Sequence, residues 1–225
     1  MAEKKTVFRR AAEWTAKKLS PLGIFMERIA LRMDSLFSAL LPRVKIGKKF
    51  SDSSRENRLA DITNETHRFI NDQGSSATLE KLRFGKYSLN YNGCGIIALY
   101  NAMSASGCRA SVADITDTFV TERLNTGGSG MSGKYGTNPF SIGRGIKRLG
   151  FECSRVSADE IMRDGLYVAA YWRKSGGFFS PAHFIAVETR NGVPTAYNNS
   201  DRNEAETVDV AELKKKYICG YRLTR

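Results

Sequence analysis

The chain reads as an α+β protein in which helices come first and an antiparallel sheet follows, with a helical extension in front. Three observations predict this. Apolar residues recur at helical spacing through the first two thirds of the 225 residues. After Phe151 the pattern changes to short apolar runs of strand length. Between two of those runs, Arg190-Asn191-Gly192-Val193 is a strong two-residue hairpin signal. Helices and strands segregated along a chain point to an α+β domain rather than alternating α/β units.

Residues 5–19 and 22–41 read as two helices broken at Ser20-Pro21. In the second, Leu22, Phe25, Met26, Ile29, Met33, Leu36, Phe37 and Leu40 fall at i, i+3, i+4, i+7 spacing. Glu27, Arg28, Arg32 and Ser35 occupy the other side, and Arg43, Lys45, Lys48 and Lys49 follow the helix. Such a segment fits three roles: packing on the domain behind it, binding an anionic membrane surface or protein partner through residues 5–49, or serving as a removable pro-segment. Residues 51–58 are polar and read as a linker or a helix start, and 55–72 as a third helix. His67 on that helix has no partner at metal-ligand spacing and is expected at the surface or in packing. Gly74-Ser75-Ser76 opens a loop and sets the boundary between a basic amphipathic extension, 1–74, and the main domain, 75–225.

In the main domain a helix runs over about 94–106 and ends at Gly107. Ser111 to Asp114 forms a capping box for a helix through about Leu124. The stretch 127–136 is rich in glycine, and Gly128-x4-Gly133-Lys134 approaches a phosphate-binding loop. Tyr135 stands where that motif needs Ser or Thr, and a helix rather than a strand precedes it, so the stretch reads as a loop bordering a cleft. Asn138-Pro139 starts a helix that Gly150 ends. Strands are expected at Phe151–Val156, Leu166–Trp172, Ala182–Glu188, Thr195–Asn199 and Tyr217–Leu223. Short helices are expected after the capping box Ser157–Glu160 and over 208–216.

Composition narrows the function classes. The net charge is +12, but residues 1–58 hold 14 Lys/Arg against 6 Asp/Glu, while 59–225 hold 21 against 17. The basic excess belongs to the extension, so a nucleic-acid surface on the main domain is not expected. Cys94, Cys108, Cys153 and Cys219 lack CxxC spacing, which argues against a zinc site and a disulfide framework. No metal and no cofactor is expected. Without a span of roughly 18 apolar residues or a signal-peptide h-region, the expected location is cytoplasmic, with membrane-peripheral attachment through the extension as an option.

The chemistry gathers around Asn92-Gly93-Cys94-Gly95-Ile96. A thiol at a helix N-terminus faces unpaired N–H groups and the positive end of the dipole, which favour the thiolate. The flanking glycines let other chain or a substrate carbonyl approach the sulfur. His183 begins a strand. A hairpin closed at 191–192 pairs positions whose numbers sum to 383, so His183 faces Ser200 and Asn198 shares its side of the sheet; a three-residue turn would put Asn199 there. One of these amides can then orient the imidazole. Cys94 as nucleophile, His183 as base and Asn198 or Asn199 as orienter suit acyl transfer on a peptide or protein substrate. The N–H of Cys94 supplies one oxyanion donor, and Asn92 or Asn90 a second.

N-x-C-G-x-x-A leading into an apolar helix, G-T-N-P-F-S-I-G-R-G-I-K-R-L-G-F in the middle and A-H-F-I-A-V-E…A-Y-N-N at the end resemble the papain-like cysteine peptidases. The layout over about 85–200 is most similar to the compact bacterial branch that includes the bacteriocin-leader (double-glycine) peptidases. The resemblance implies a helical half packed against an antiparallel half, an active site in the cleft between them, and thiol-protease activity. Two departures stand out. Cys94 and His183 lie 89 residues apart, against roughly 130–150 in the papain/cathepsin group. Ser88 stands where that family places its oxyanion glutamine. This second departure also admits a weak or inactive domain of this fold that works as a binding or membrane-associated module.

Overall fold

A computed structural model of the chain describes residues 22–41, 48–62, 69–84, 87–108, 111–124, 136–173, 182–199 and 204–224. The expected helix 5–19, His67, Ser200 and most of the glycine-rich stretch lie outside the described residues. The α+β prediction holds. The helical part comprises α1 (22–40), α2 (Lys48–Ile62), α3 (Ala77–Lys81), α4 (Leu89–Asn92), α5 (Cys94–Ala105), α6 (Val112–Thr121) and α7 (Ile142–Arg148). A two-stranded ribbon, β1 (Arg83–Phe84) with β2 (Tyr87–Ser88), interrupts it.

The second half is one six-stranded sheet. Its strands are β3 (Glu152–Val156), β4 (Gly165–Trp172), β5 (Ala182–Arg190), β6 (Val193–Tyr197), β7 (Glu206–Thr207) and β8 (Tyr217–Thr224), in the spatial order β3-β8-β4-β5-β6-β7. Every pairing is antiparallel. A 3₁₀ turn, Asp159–Met162, and α8 (Val210–Lys216) complete the chain. The β5–β6 hairpin closes at Asn191-Gly192, both with positive φ (52° and 73°), as a two-residue primed turn requires. Its register pairs Ala186 with Tyr197 and Arg190 with Val193, the expected sum of 383.

Alternation along β4 and β5 sends side chains into two apolar layers. Phe184, Ala186, Val168 and Ala170 face the helical half, where they join Ile96, Ile97, Leu99 and Phe119. Ile185, Val187, Tyr167 and Ala169 face the other way, against Ile161 of the 3₁₀ turn, Val208 just after β7 and Leu213 of α8. The sheet is therefore the shared wall of two cores, and α5 packs directly on β5 and β4. Each expected capping box forms one of its two reciprocal bonds: Ser111 accepts from the Asp114 N–H, and Glu160 accepts from the Ser157 N–H.

Two expected helix bounds are corrected. The third helix, expected over 55–72, is α2, which begins at Lys48; Phe69 to Gln73 are not helical. Asn138 does not cap α7 directly. Its Oδ1 accepts from the Phe140 N–H at 2.9 Å, a local turn that delays the helix to Ile142. Just before the expected boundary at 74, the Ile70 N–H and C=O both bond the buried Asn101 side chain and Phe69 stacks on Tyr197 at 4.3 Å. α1 packs on the domain, one of the three roles its sequence fits: Leu31 and Ile24 join the core beside an inward polar side, and the apolar stripe faces solvent.

That polar seam is specific. Arg28 donates to the Tyr217 carbonyl. Asn138 donates to the Leu31 carbonyl (2.9 Å) and to Asp34 (2.8 Å). Arg144 donates to the Ser35 carbonyl and the Ser38 hydroxyl, both at 2.9 Å, while Ser141 and Ser35 share a hydroxyl bond. Asn138 is fully buried, so Asn138→Ala removes a donor from the Leu31 carbonyl and from Asp34 and takes the acceptor away from the Phe140 N–H. We expect a loss of about 1–3 kcal/mol in urea unfolding. A second prediction concerns alkaline pH. Burial pushes the Cys219 thiol up to about 12 and pushes Tyr217 and Tyr221 up as well. The unfolded chain therefore releases these protons first, and stability present below about pH 9 declines as pH rises toward 12. Urea midpoints should fall steadily from pH 9 to pH 11.

Candidate active site

The site is built where α5 meets β5. One-turn α4 ends at Gly93, whose N–H bonds the Leu89 carbonyl at 2.8 Å, and α5 starts at the next residue, with Ile97 N–H bonding the Gly93 carbonyl. Two helices therefore meet at a single residue before Cys94. A side chain at Gly93 would collide with the Leu89 carbonyl, and one at Gly95 with Thr137, whose Cβ lies 2.6 Å from where a Gly95 Cβ would be. The two glycines are required by packing, which holds the helix start tight against the segment 136–138.

Cys94 is half-buried, and its sulfur is met by the N–H groups of Phe184, Gly95 and Cys94 itself. Burial pushes its thiol up, outweighing the opposing pull of those N–H groups and of the Arg173 charge. The sequence led us to expect a helix terminus that favours the thiolate. Those donors are present, but desolvation outweighs them.

The Phe184 N–H at this sulfur belongs to the residue after His183. His183 is buried, at 5% exposure, and pairs with Tyr171 across β4–β5. The Tyr171 ring meets the imidazole edge-on at a centroid distance of 5.6 Å. His183 Nε2 lies 2.6 Å from the backbone carbonyl of Asn198. A carbonyl only accepts, so Nε2 carries the hydrogen and Nδ1 is the nitrogen able to take a proton.

Neither amide side chain fills the orienting role expected of it. Asn198 follows the end of β6 with φ +62°, and this turn aims its carbonyl at His183. Its side chain goes elsewhere: Oδ1 accepts from the Gln73 N–H (3.2 Å) and Nδ2 donates to Gln73 Oε1 (3.3 Å). Its own N–H donates to Asn71 Oδ1. Asn199 is tied to Tyr171, whose hydroxyl donates to its Oδ1 at 3.2 Å, and to Glu206. Burial pushes the Tyr171 hydroxyl up to about 12, so it stays a donor. Asn92 is buried at the end of α4, two residues before Cys94, whereas Asn90 accepts from the Ser88 hydroxyl. Ser88 is thereby turned onto its own loop.

Gln73 is the residue that sequence reading missed. Besides gripping Asn198, its Nε2 donates to the carbonyls of Leu89 (2.8 Å) and Asn90 (3.1 Å) in α4. One side chain thus ties the turn that holds His183 to the turn that carries Cys94. No spacing pattern marks an isolated glutamine whose partners are distant backbone groups. Among the described residues no group of three or more His, Cys, Asp or Glu could hold a metal ion, and no helix is long and apolar enough to cross a membrane.

No family model matches the chain, and no curated protein matches it. Among solved structures the chain is similar to the peptidase domain of Streptococcus ComA, a bifunctional ABC transporter involved in a quorum-sensing pathway. That similarity has a TM-score of 0.46 and 13% identity, covering 70% of this chain and 98% of that one. It is also similar to the Pseudomonas avirulence protein AvrPphB, with a TM-score of 0.31 and 8% identity, covering 84% and 100%.

The Gln73 clamp has a measurable cost. Gln73→Ala should lower stability by about 1–3 kcal/mol in urea unfolding, because a half-buried network loses its centre. Gln73→Glu sets a carboxylate against two carbonyls and should be at least as damaging.

Proposed function

We propose that the chain is a cysteine peptidase in which Cys94 is the nucleophile and His183 the general base. The observation that carries this reading is the doubly fixed end of β5. The Phe184 N–H reaches the Cys94 sulfur, and the preceding residue's imidazole is held through Nε2 by the Asn198 carbonyl. The thiol and the proton-accepting nitrogen thus belong to groups at one strand end, on rigid elements.

The chemistry follows from these positions. His183 Nδ1 takes the thiol proton as the sulfur attacks the carbonyl carbon of a peptide bond. The oxyanion that forms is met by N–H groups at the α5 start, which have no partner within the helix. His183 then gives its proton to the leaving amine, and a thioester to Cys94 remains. Water, deprotonated by the same imidazole, attacks the thioester and releases a carboxylate while the thiol re-forms. Because desolvation pushes the Cys94 thiol up, a base is needed to draw off its proton, and His183 fills that role. The Asn198 carbonyl keeps the ring in the tautomer that presents Nδ1, and it favours the imidazolium that develops. Asn92 beside this start is the candidate second oxyanion donor. Asn199 supports the site through Tyr171 rather than by contact with the ring.

Chemical labelling tests this reading on the full chain. An iodoacetamide or epoxide probe of the E-64 type should modify Cys94 at neutral pH faster than Cys108, and Cys94→Ala should remove that label while Cys108→Ala keeps it. His183→Ala should slow Cys94 labelling and peptide hydrolysis by about 10²–10⁴-fold. Equal labelling of wild type and Cys94→Ala, or an unchanged rate in His183→Ala, would sink the mechanism.

A further inference from the structure

The outward face of α1 is not used by the site. Phe25, Ile29, Met33, Leu36, Phe37 and Leu40 are 41–85% exposed and lie along one side of a helix about 28 Å long. Soluble surfaces carry exposed apolar residues singly; a continuous stripe of this size marks an interaction site. The helix cannot turn the stripe inward, because Arg28, Asp34, Ser35 and Ser38 are locked to the domain on the opposite side. The polar seam fixes which way the apolar face looks.

We propose that this face is a membrane-docking surface, and that α1 lies in the headgroup region of an anionic bilayer with its apolar side chains in the acyl boundary. Charge selects the occupant. Residues 42–49 following the helix hold four Lys/Arg and no acid, and residues 1–21 before it hold six Lys/Arg and two acids. Both flanks are positive, so a second copy on the same stripe would bring like charges together in parallel and in antiparallel orientation. An anionic lipid surface complements both flanks at once. Shape agrees: a single exposed helix face needs a groove in a protein partner but none in a bilayer. The acidic side chains of α1 do not oppose this contact. Asp34 is bound to Asn138 on the docked side, and partial burial pushes Glu27 up toward its neutral form.

Flotation of the full chain with vesicles tests the proposal, using phosphatidylcholine alone or mixed with phosphatidylserine, at low and physiological salt. Leu36→Glu/Leu40→Glu provides the control; both positions are exposed, so its urea midpoint should match wild type. We expect wild type to float with the anionic vesicles at least tenfold more than with neutral ones, less so at higher salt, and the double variant to lose at least tenfold. Three results overturn the proposal. Wild type that fails to float with anionic vesicles shows the stripe covered by another part of the chain or otherwise unused. A double variant that floats as well as wild type shows that the basic segments act without the helix. Wild type that forms a dimer in light scattering, dissociated by the double variant and without flotation, makes the stripe a self-interface.

Discussion

The packing of α5 against the middle of the sheet is the constraint on which the rest depends. Ile96, Ile97, Ala98, Leu99, Asn101 and Ala102 are fully buried, and Met103 nearly so. A helix apolar on every side has to be enclosed, here by β4 and β5, by α6 and by the segment 69–71. Each large aliphatic side chain contributes on the order of 1.5–3 kcal/mol by leaving water, so the axis of α5 is among the most firmly held directions in the molecule. Its N-terminus is consequently delivered to the β6 side of β5, where β6 has ended and a main-chain N–H of β5 is left over. Cys94 takes that N–H. The location of the sulfur is thus a by-product of core packing.

The opposite wall of the site depends on a different kind of interaction. Asn198 engages through its N–H, its carbonyl and both ends of its amide with Asn71, His183 and Gln73. These are hydrogen bonds worth about a kilocalorie each when made and more when broken. They are coupled, so the imidazole is only as ordered as the segment 71–73 behind it. Residues that looked like the tail of an extension are therefore part of the scaffold, and the nucleophile side and the base side meet in one glutamine.

How much of this could be read from the chain differs by the range of the interaction. Strands, capping boxes and the β5–β6 register were legible because each follows from neighbours in sequence; Asn191-Gly192 alone determines that Ala186 faces Tyr197. Cys94 and His183 were legible as candidates because their residue types carry chemistry. The orientation of α1 was not. Amphipathicity reports that a helix has two faces, and it says nothing of which one meets the protein when serines, an arginine and an aspartate find partners on the turn 138–141, on α7 and on β8. One-turn α4 was too short to leave a period. Gln73 and Asn71 were silent because side-chain bonds to remote main-chain groups impose no spacing.

The carbonyl that holds His183 has a consequence for how such sites are recognised. The imidazole senses a backbone oxygen at position 198, so what the ring requires there is a conformation with positive φ. The amide of Asn198 answers to Gln73. Residue identity at 198 should therefore vary together with residue 73 rather than with the catalytic pair, and glycine or aspartate could stand there without altering the atom that the ring meets. A search template demanding cysteine, histidine and asparagine would pass over such sequences, whereas one built on a strand-ending left-handed residue fifteen positions after the histidine would retain them.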